Sequence, residues 1–242
     1  LLPLLMRTWV IPDIHGCLLT FRELVEGMIK LRKDDQLFIL GDFIDRGPDS
    51  KGVIDYILHL EASGYMVTTL RGNHEDYMIS AIKNDVSPGL FSRFLGRERT
   101  RRDWYRFGGE ETVKSFGVDK LSHIPQKYID WLNALPLYCS WENFLIVHAG
   151  FNFSNDNIFE DENAMMWIRD FEIDPEKLKG RRIIHGHVPV DLEFINSCIN
   201  SQAYHFIALD NGVYMSNRPG YGNLVALELN TMSLEVQTNI DF

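Results

Sequence analysis

Leu37-Phe38-Ile39-Leu40-Gly41-Asp42-Phe43-Ile44-Asp45-Arg46-Gly47 decides how the chain is read. Its first four residues are a short apolar run bounded by polar ones, which predicts a buried strand. The strand runs straight into two carboxylates, an arginine and two glycines. Open α/β sheets gather their ligands at the carboxyl ends of strands, so Asp42 and Asp45 stand where chemistry is expected. Gly41 and Gly47 give the turn backbone freedom that other residues lack. The competing reading, a polar loop with a local Asp–Arg pair, loses ground to what flanks the stretch.

Upstream, the apolar residues 8–11 run into Pro12-Asp13-Ile14-His15-Gly16. A helix is expected next, with Thr20 and Glu23 as a capping box and Leu24, Met28 and Leu31 at helical spacing. Downstream, Ser50 is the expected cap of a helix that turns Val53, Ile54, Ile57 and Leu58 inward and stops before Gly64. Residues 65–70 predict a third strand, which ends in Arg71-Gly72-Asn73-His74-Glu75, with a helix over about 75–83. Strand and helix thus alternate three times, which predicts a mostly parallel sheet with right-handed crossovers. Its ligand-type residues would lie along one edge.

From Asn84 to Phe107 the pattern breaks at Pro88, Gly89 and Gly96. Six arginines (93, 97, 99, 101, 102 and 106) are interleaved there with Phe91, Phe94, Trp104 and Tyr105. This Arg-rich insertion, about 84–108, reads either as a solvated surface loop or as a basic rim over the site that offsets the chain's negative charge. Helices are expected again over 110–115 and 125–134, then a hairpin of 137–140 and 144–147 that ends in His148-Ala149-Gly150. A short helix is read over 164–170 and a strand over 182–184, which ends in His185-Gly186-His187. Further β runs at 206–209, 224–229 and 233–237 follow, the last two as a hairpin. No repeat or linker divides the chain, so 6–242 reads as a single domain, with residues 1–5 before Met6 as a non-native leader.

Composition narrows the function. The chain has 242 residues, 45% of them hydrophobic, enough for a substantial core. With 24 basic against 34 acidic residues the net charge is −10, which argues against general nucleic-acid affinity. Cys17, Cys139 and Cys198 are scattered and form no CxxC, so neither a zinc knuckle nor a disulfide framework is expected. A reducing, cytoplasmic setting fits that usage. No apolar stretch reaches the roughly 18 residues of a membrane span.

The strand ends offer Asp13 and His15, then Asp42, then Asn73 and His74, then His148, then His185 or His187. These are oxygen and imidazole donors without sulfur. Such a set suits a pair of divalent ions, manganese first and iron or zinc after it, rather than a structural zinc. A single histidine at a strand end is more often structural than ligating. Repetition at five strand ends reverses that expectation. Asp42 is the natural bridge, because one carboxylate offers an oxygen to each of two ions.

The ordered motifs PDIHG (12–16), GDFIDRG (41–47), GNHE (72–75), HAG (148–150) and GH (186–187), with Asp210 and Gly212 later, resemble the phosphoprotein phosphatase family of metallophosphoesterases. The similarity is greatest to the small bacterial and phage branch. The resemblance implies an α/β metallophosphoesterase fold, a central β-sandwich of two mixed sheets flanked by helices. It implies that Asp13, His15 and Asp42 hold one ion, and that Asp42, Asn73, His148 and His187 hold the other. Arg46, Arg169 and Asn73 would bind the phosphate, a guanidinium fork being suited to its oxygens. His74 would protonate the leaving group, held by Asp45.

The activity so implied is hydrolysis of phosphomonoesters, protein phosphoserine and phosphothreonine first, by a hydroxide activated between two metals. The partner is then a phosphorylated protein or a small phosphoester, with no nucleic acid and no membrane. The near alternative is a symmetrical dinucleoside polyphosphate (diadenosine tetraphosphate) hydrolase, which shares the motifs. A non-catalytic phosphate-binding module is remote. A cyclic-nucleotide phosphodiesterase is disfavoured, because Pro189 stands where those enzymes carry a second histidine. Pro12 departs from the family's usual glycine and puts only the local backbone in question. His185 reads as strand-terminal, and Cys17, near a helix start, as a small buried residue rather than a reactive thiolate.

Overall fold

Strand β1 (Thr8–Ile11), β2 (Gln36–Ile39) and β3 (Met66–Thr69) lie side by side and parallel, Trp9 opposite Leu37 and Leu37 opposite Val67. The computed structural model describes residues 6–86, 96–201 and 203–242, and the side chains of all of these but 84–86 and 96–100. Along β1 and β2 the side chains alternate between two cores. Trp9, Ile11, Leu37 and Ile39 face the helices, whereas Val10 and Phe38 face the second sheet. A sheet covered on both faces explains why these strands read as unbroken apolar runs.

The helices on the outer face are α1 (Leu18–Arg22), which continues as one π-turn over Glu23–Met28, α2 (Ser50–Ala62) and α3 (Asn73–Val86). Then come α4 (Gly96–Arg106), α5 (Gly109–Ser115) and α6 (Gln126–Ala134). Strands β4 (Tyr138–Trp141) and β5 (Phe144–Val147) form the expected hairpin. After α7 (Glu162–Trp167) and α8 (Pro175–Leu178), β6 (Arg182–His185) pairs parallel with β5. Helix α9 (Leu192–Asn200) leads to β7 (Phe206–Ala208), and the hairpin β8 (Asn223–Glu228) and β9 (Ser233–Thr238) follows.

Two mixed sheets result, of order β3-β2-β1-β8-β9 and β4-β5-β6-β7. They pack face to face through Val10, Phe38, Leu40, Ile146, Ile184, Ile207 and Val225. Helices cover both outsides, the expected αββα sandwich. The ligand-type residues that follow β1, β2 and β3 lie along one sheet edge, as the alternation of the first eighty residues predicts, and those that follow β5 and β6 belong to the second sheet. Together they line two facing edges, joined where His148 Nδ1 lies 3.1 Å from the Leu40 carbonyl. No described helix is long and apolar enough to cross a membrane.

Several local expectations are corrected. Thr20 lies inside α1 and caps nothing. The amides of Leu19 and Thr20 donate instead to Asp241, 221 residues on from Thr20. Asp49, not Ser50, caps α2, accepting the Gly52 N–H at 2.8 Å. The third helix starts at Asn73 rather than 75. Helix α7 ends at Trp167, which leaves Arg169 outside it. Within the Arg-rich segment, residues 96–106 are helical rather than loop. Residues 1–5, Pro88, Gly89, Phe91, Arg93 and Phe94 lie outside the described residues, as do the side chains of Arg97 and Arg99.

Candidate active site

Each motif enters the site on a strand end that turns sharply. His15, Asp42, Asp45, Arg46 and His187 all have φ between 46° and 70°, a left-handed conformation that side chains seldom adopt. Gly41, at φ 108°, lets the second motif pass the third, since a Cβ there would come within 2.5 Å of the Gly72 amide nitrogen. The Asp42 carbonyl accepts the N–H groups of Ile14 and His15 at 3.1 and 2.9 Å, which ties the first motif to the second. Glu75, fully buried, accepts from the amides of Asp42, Phe43 and Gly72 at 2.8, 3.1 and 2.8 Å.

Asp42 is the centre. Its Oδ2 lies 4.0 Å from His15 Nε2, 3.8 Å from His74 Nε2 and 3.4 Å from His148 Nε2. Two groups of donor atoms share it, His15–Asp42–His74 and Asp42–His148–His187, each within 4.8 Å. Asn73 Oδ1 joins the second group, 3.0 Å from His148 Nε2. Asp13 stands apart from both groups. Its carboxylate accepts the His187 amide on both oxygens at 3.1 Å and faces Asp210.

The protonation states suit cations. Burial alone would raise the Asp42 carboxyl, but His148, His74, His15 and His187 outweigh it and hold it well below the usual carboxylate range. Burial lowers His15 and His148, and it drives His187 down to about 3. His187 Nε2 and Asp210 Oδ2 are buried without a hydrogen-bond partner. The oxygen and nitrogen donors gathered around the shared Asp42 carboxylate fit a pair of divalent ions.

Beside this centre is an Asp–His pair. His74 Nδ1 lies 2.6 Å from Asp45 Oδ2, which leaves Nε2 facing Asp42 and Arg46. Asp45 is buried and has two further donors, Trp104 Nε1 at 2.7 Å and the Thr112 hydroxyl at 2.5 Å. Its own amide donates to Ser50 and Thr112. The Arg46 guanidinium lies 2.5 Å from His15 Nε2 and 3.1 Å from His74 Nε2, over the ring of Tyr214 at 4.2 Å. Arg169 is exposed, near enough to His187 to help lower its pKa.

Sequence reasoning left Glu75, Trp104, Thr112 and Tyr214 without roles. Only Glu75 carried a signal, its place in the third motif. His185 ends β6, buried between Phe171 and Phe206 with Nδ1 3.1 Å from the Gly186 carbonyl, outside both donor groups. Cys17 is buried and its thiol is pushed up to about 12, first by burial and then by Asp241, so it is no thiolate.

Residues 6–215 match the model of a family described as calcineurin-like phosphoesterase. A protein of Buchnera aphidicola subsp. Acyrthosiphon pisum, named as a symmetrical bis(5'-nucleosyl)-tetraphosphatase, is 39% identical over 93 residues, 37% of this chain and 33% of its own. One of the same name from Pasteurella multocida is 29% identical over 150 residues, 60% of this chain and 44% of its own. The match therefore spans less than half the length of these curated relatives. Among solved structures, a serine/threonine phosphatase from Saccharomyces cerevisiae with similarity to human phosphatase PP5 superposes on 98% of this chain and 81% of its own, with a TM-score of 0.61 and 17% identity. A metallophosphoesterase from Sphaerobacter thermophilus covers 98% and 88%, with a TM-score of 0.54 and 14% identity. At such identities the likeness is one of fold.

Proposed function

The chain belongs to the calcineurin-like phosphoesterase family, and we propose that it is a two-metal hydrolase of nucleotide phosphoesters. Symmetrical cleavage of a dinucleoside tetraphosphate is its leading activity. The reading is carried by Asp42, whose Oδ2 faces donor groups on both sides. It is supported by the relatives, which bear the name of symmetrical tetraphosphatases. The phosphoprotein reading that the motifs first implied has support only from fold.

His15 and Asp42, with Asp13 beside them, would hold one ion, and Asp42, Asn73, His148 and His187 the other. When bound, such a pair lowers the pKa of water and neutralises phosphate oxygens. The chain's own residues do the rest. Arg46 and Arg169 orient the phosphoryl group and take up charge that grows on its oxygens. His74 gives its Nε2 proton to the departing oxygen, while Asp45 fixes the ring through Nδ1. Trp104 and Thr112 hold Asp45 in turn.

The test is an assay of diadenosine tetraphosphate beside a panel of phosphopeptides, with Mn²⁺ and after chelation. ADP should be the sole nucleotide product, and chelation should abolish its release until Mn²⁺ is returned. Turnover of phosphopeptides with none of the tetraphosphate would overturn the substrate assignment. Undiminished turnover in metal-free protein would overturn the two-metal reading.

A further inference from the structure

Three aromatic residues from separate elements meet beside His74. Phe107, the residue after α4, places its ring edge-on to His74 with 6.5 Å between centroids. Tyr77 of α3 lies nearly parallel to Phe107, at 18° and 5.5 Å. Trp167, the last residue of α7, meets Tyr77 edge-on at 4.6 Å. The position of Phe107 is fixed by backbone: its N–H donates to the Trp104 carbonyl, and the carbonyl of the next residue, Gly108, accepts the Arg46 N–H.

Phe107 is 45% exposed. Of the described phenylalanines, only it and the terminal Phe242 are exposed. The exposed part of Phe107 lies at the rim of a polar site, within a cluster of three rings. The ligand class follows from the shapes. Tyr77 stacks on Phe107, so the part of the ring left exposed is aromatic and lies next to the groups that face a phosphate. A phosphoserine peptide carries no planar group at a set distance from its phosphate. A nucleotide carries one, a ribose away.

We infer that Phe107, backed by Tyr77 and Trp167, is a shelf on which the base of a bound nucleotide stacks while its phosphates run to Arg46 and His74. The inference rests on the nucleotide reading above and adds the residue that recognises the base. Stacking of this kind tolerates any base, because every base has a π-face. The shelf therefore selects nucleotides over other phosphoesters and does not choose among bases.

The experiment is calorimetric titration of the Mn²⁺-loaded protein with AMP and with ribose 5-phosphate, which differ by the base. AMP is expected to bind about 5-fold or more tightly to the parent, the lower end of what a base–aromatic stack contributes. Phe107→Ala should bring the two affinities together, and Phe107→Trp should restore the preference. No preference in the parent, or one that survives Phe107→Ala, overturns the shelf. Hydrolysis of diadenosine tetraphosphate, followed in parallel, keeps the two ideas apart. A lost AMP preference in a protein that leaves the tetraphosphate intact upholds the shelf and sinks the substrate assignment. Hydrolysis together with an AMP preference that Phe107→Ala leaves unchanged does the reverse.

Discussion

Asp42 sits at φ 47°. Such a conformation costs of order 1–3 kcal/mol for a residue with a side chain and persists only where its surroundings fix it. Glu75 does much of the fixing, through the amides of Asp42, Phe43 and Gly72. A glutamine there has one carbonyl oxygen and turns donors toward N–H groups. Glu75→Gln should therefore destabilise the fold by about 1–3 kcal/mol, the cost of buried groups left unpaired. Thermal unfolding with and without Mn²⁺ checks this, and the gap between the two midpoints should narrow as the ions are held less tightly. An unchanged midpoint would mean that the second motif keeps its turn without Glu75. His74 is tested differently. As an acid it should contribute roughly 10²–10⁴ in rate, so His74→Asn should lose about that factor on esters with poor leaving groups. On leaving groups that need little protonation the loss should shrink. A leaving-group series measures it, and an equal loss across the series would speak against proton donation.

The last turn of α4 is as much part of the site as the strand ends. Trp104 is buried and donates to Asp45, Phe107 flanks His74, and Gly108 receives the Arg46 amide. Trp104→Phe removes the Nε1 donor together with part of a fully buried indole ring. It should leave the Asp45 carboxylate one bond short, at a cost of about 1–3 kcal/mol, and loosen the His74 ring. The rate loss should follow the leaving-group pattern of His74→Asn at smaller size, whereas a packing defect would slow all substrates alike. This helix was not legible in the sequence. Its arginines and Gly96 hide any 3.6-residue apolar stripe, and among residues 101–106 Trp104 alone is buried. Helix α9 was legible and passed over, with Asp191 as cap and Ile195 and Ile199 four apart on its buried face. The strands and their ligand-bearing ends were plain in the sequence, because an apolar run that stops at a carboxylate or histidine is a local signal. What escaped was non-local: the second donor to Asp45 comes from 59 residues away.

Over the whole molecule, distant segments complete the first motif. The chain carries a net charge of −10, yet its acidic end is put to local use. Asp241 accepts the N–H of Leu19 at 3.0 Å and that of Thr20 at 2.9 Å, and the Thr20 hydroxyl at 2.6 Å. It thereby does for α1 what an N-cap side chain does, from 221 residues away. Asn239 and Ile240 extend the contact, to Cys17 Sγ and to the Thr20 hydroxyl. Helix α1 begins two residues after Gly16, so this clasp steadies the backbone that delivers His15. Loss of a capping oxygen costs about 0.5–2 kcal/mol. For a domain of this size each kcal/mol moves the thermal midpoint by roughly 2–4 °C. Asp241→Ala should thus lower the midpoint by about 1–8 °C. Asp241→Asn, which keeps one carbonyl oxygen, should lower it less. The turnover number should hold in both variants, since neither touches a donor to the ions or to His74. Differential scanning calorimetry decides it: equal midpoints for the parent and Asp241→Ala would show that α1 holds its first turn without the distant carboxylate.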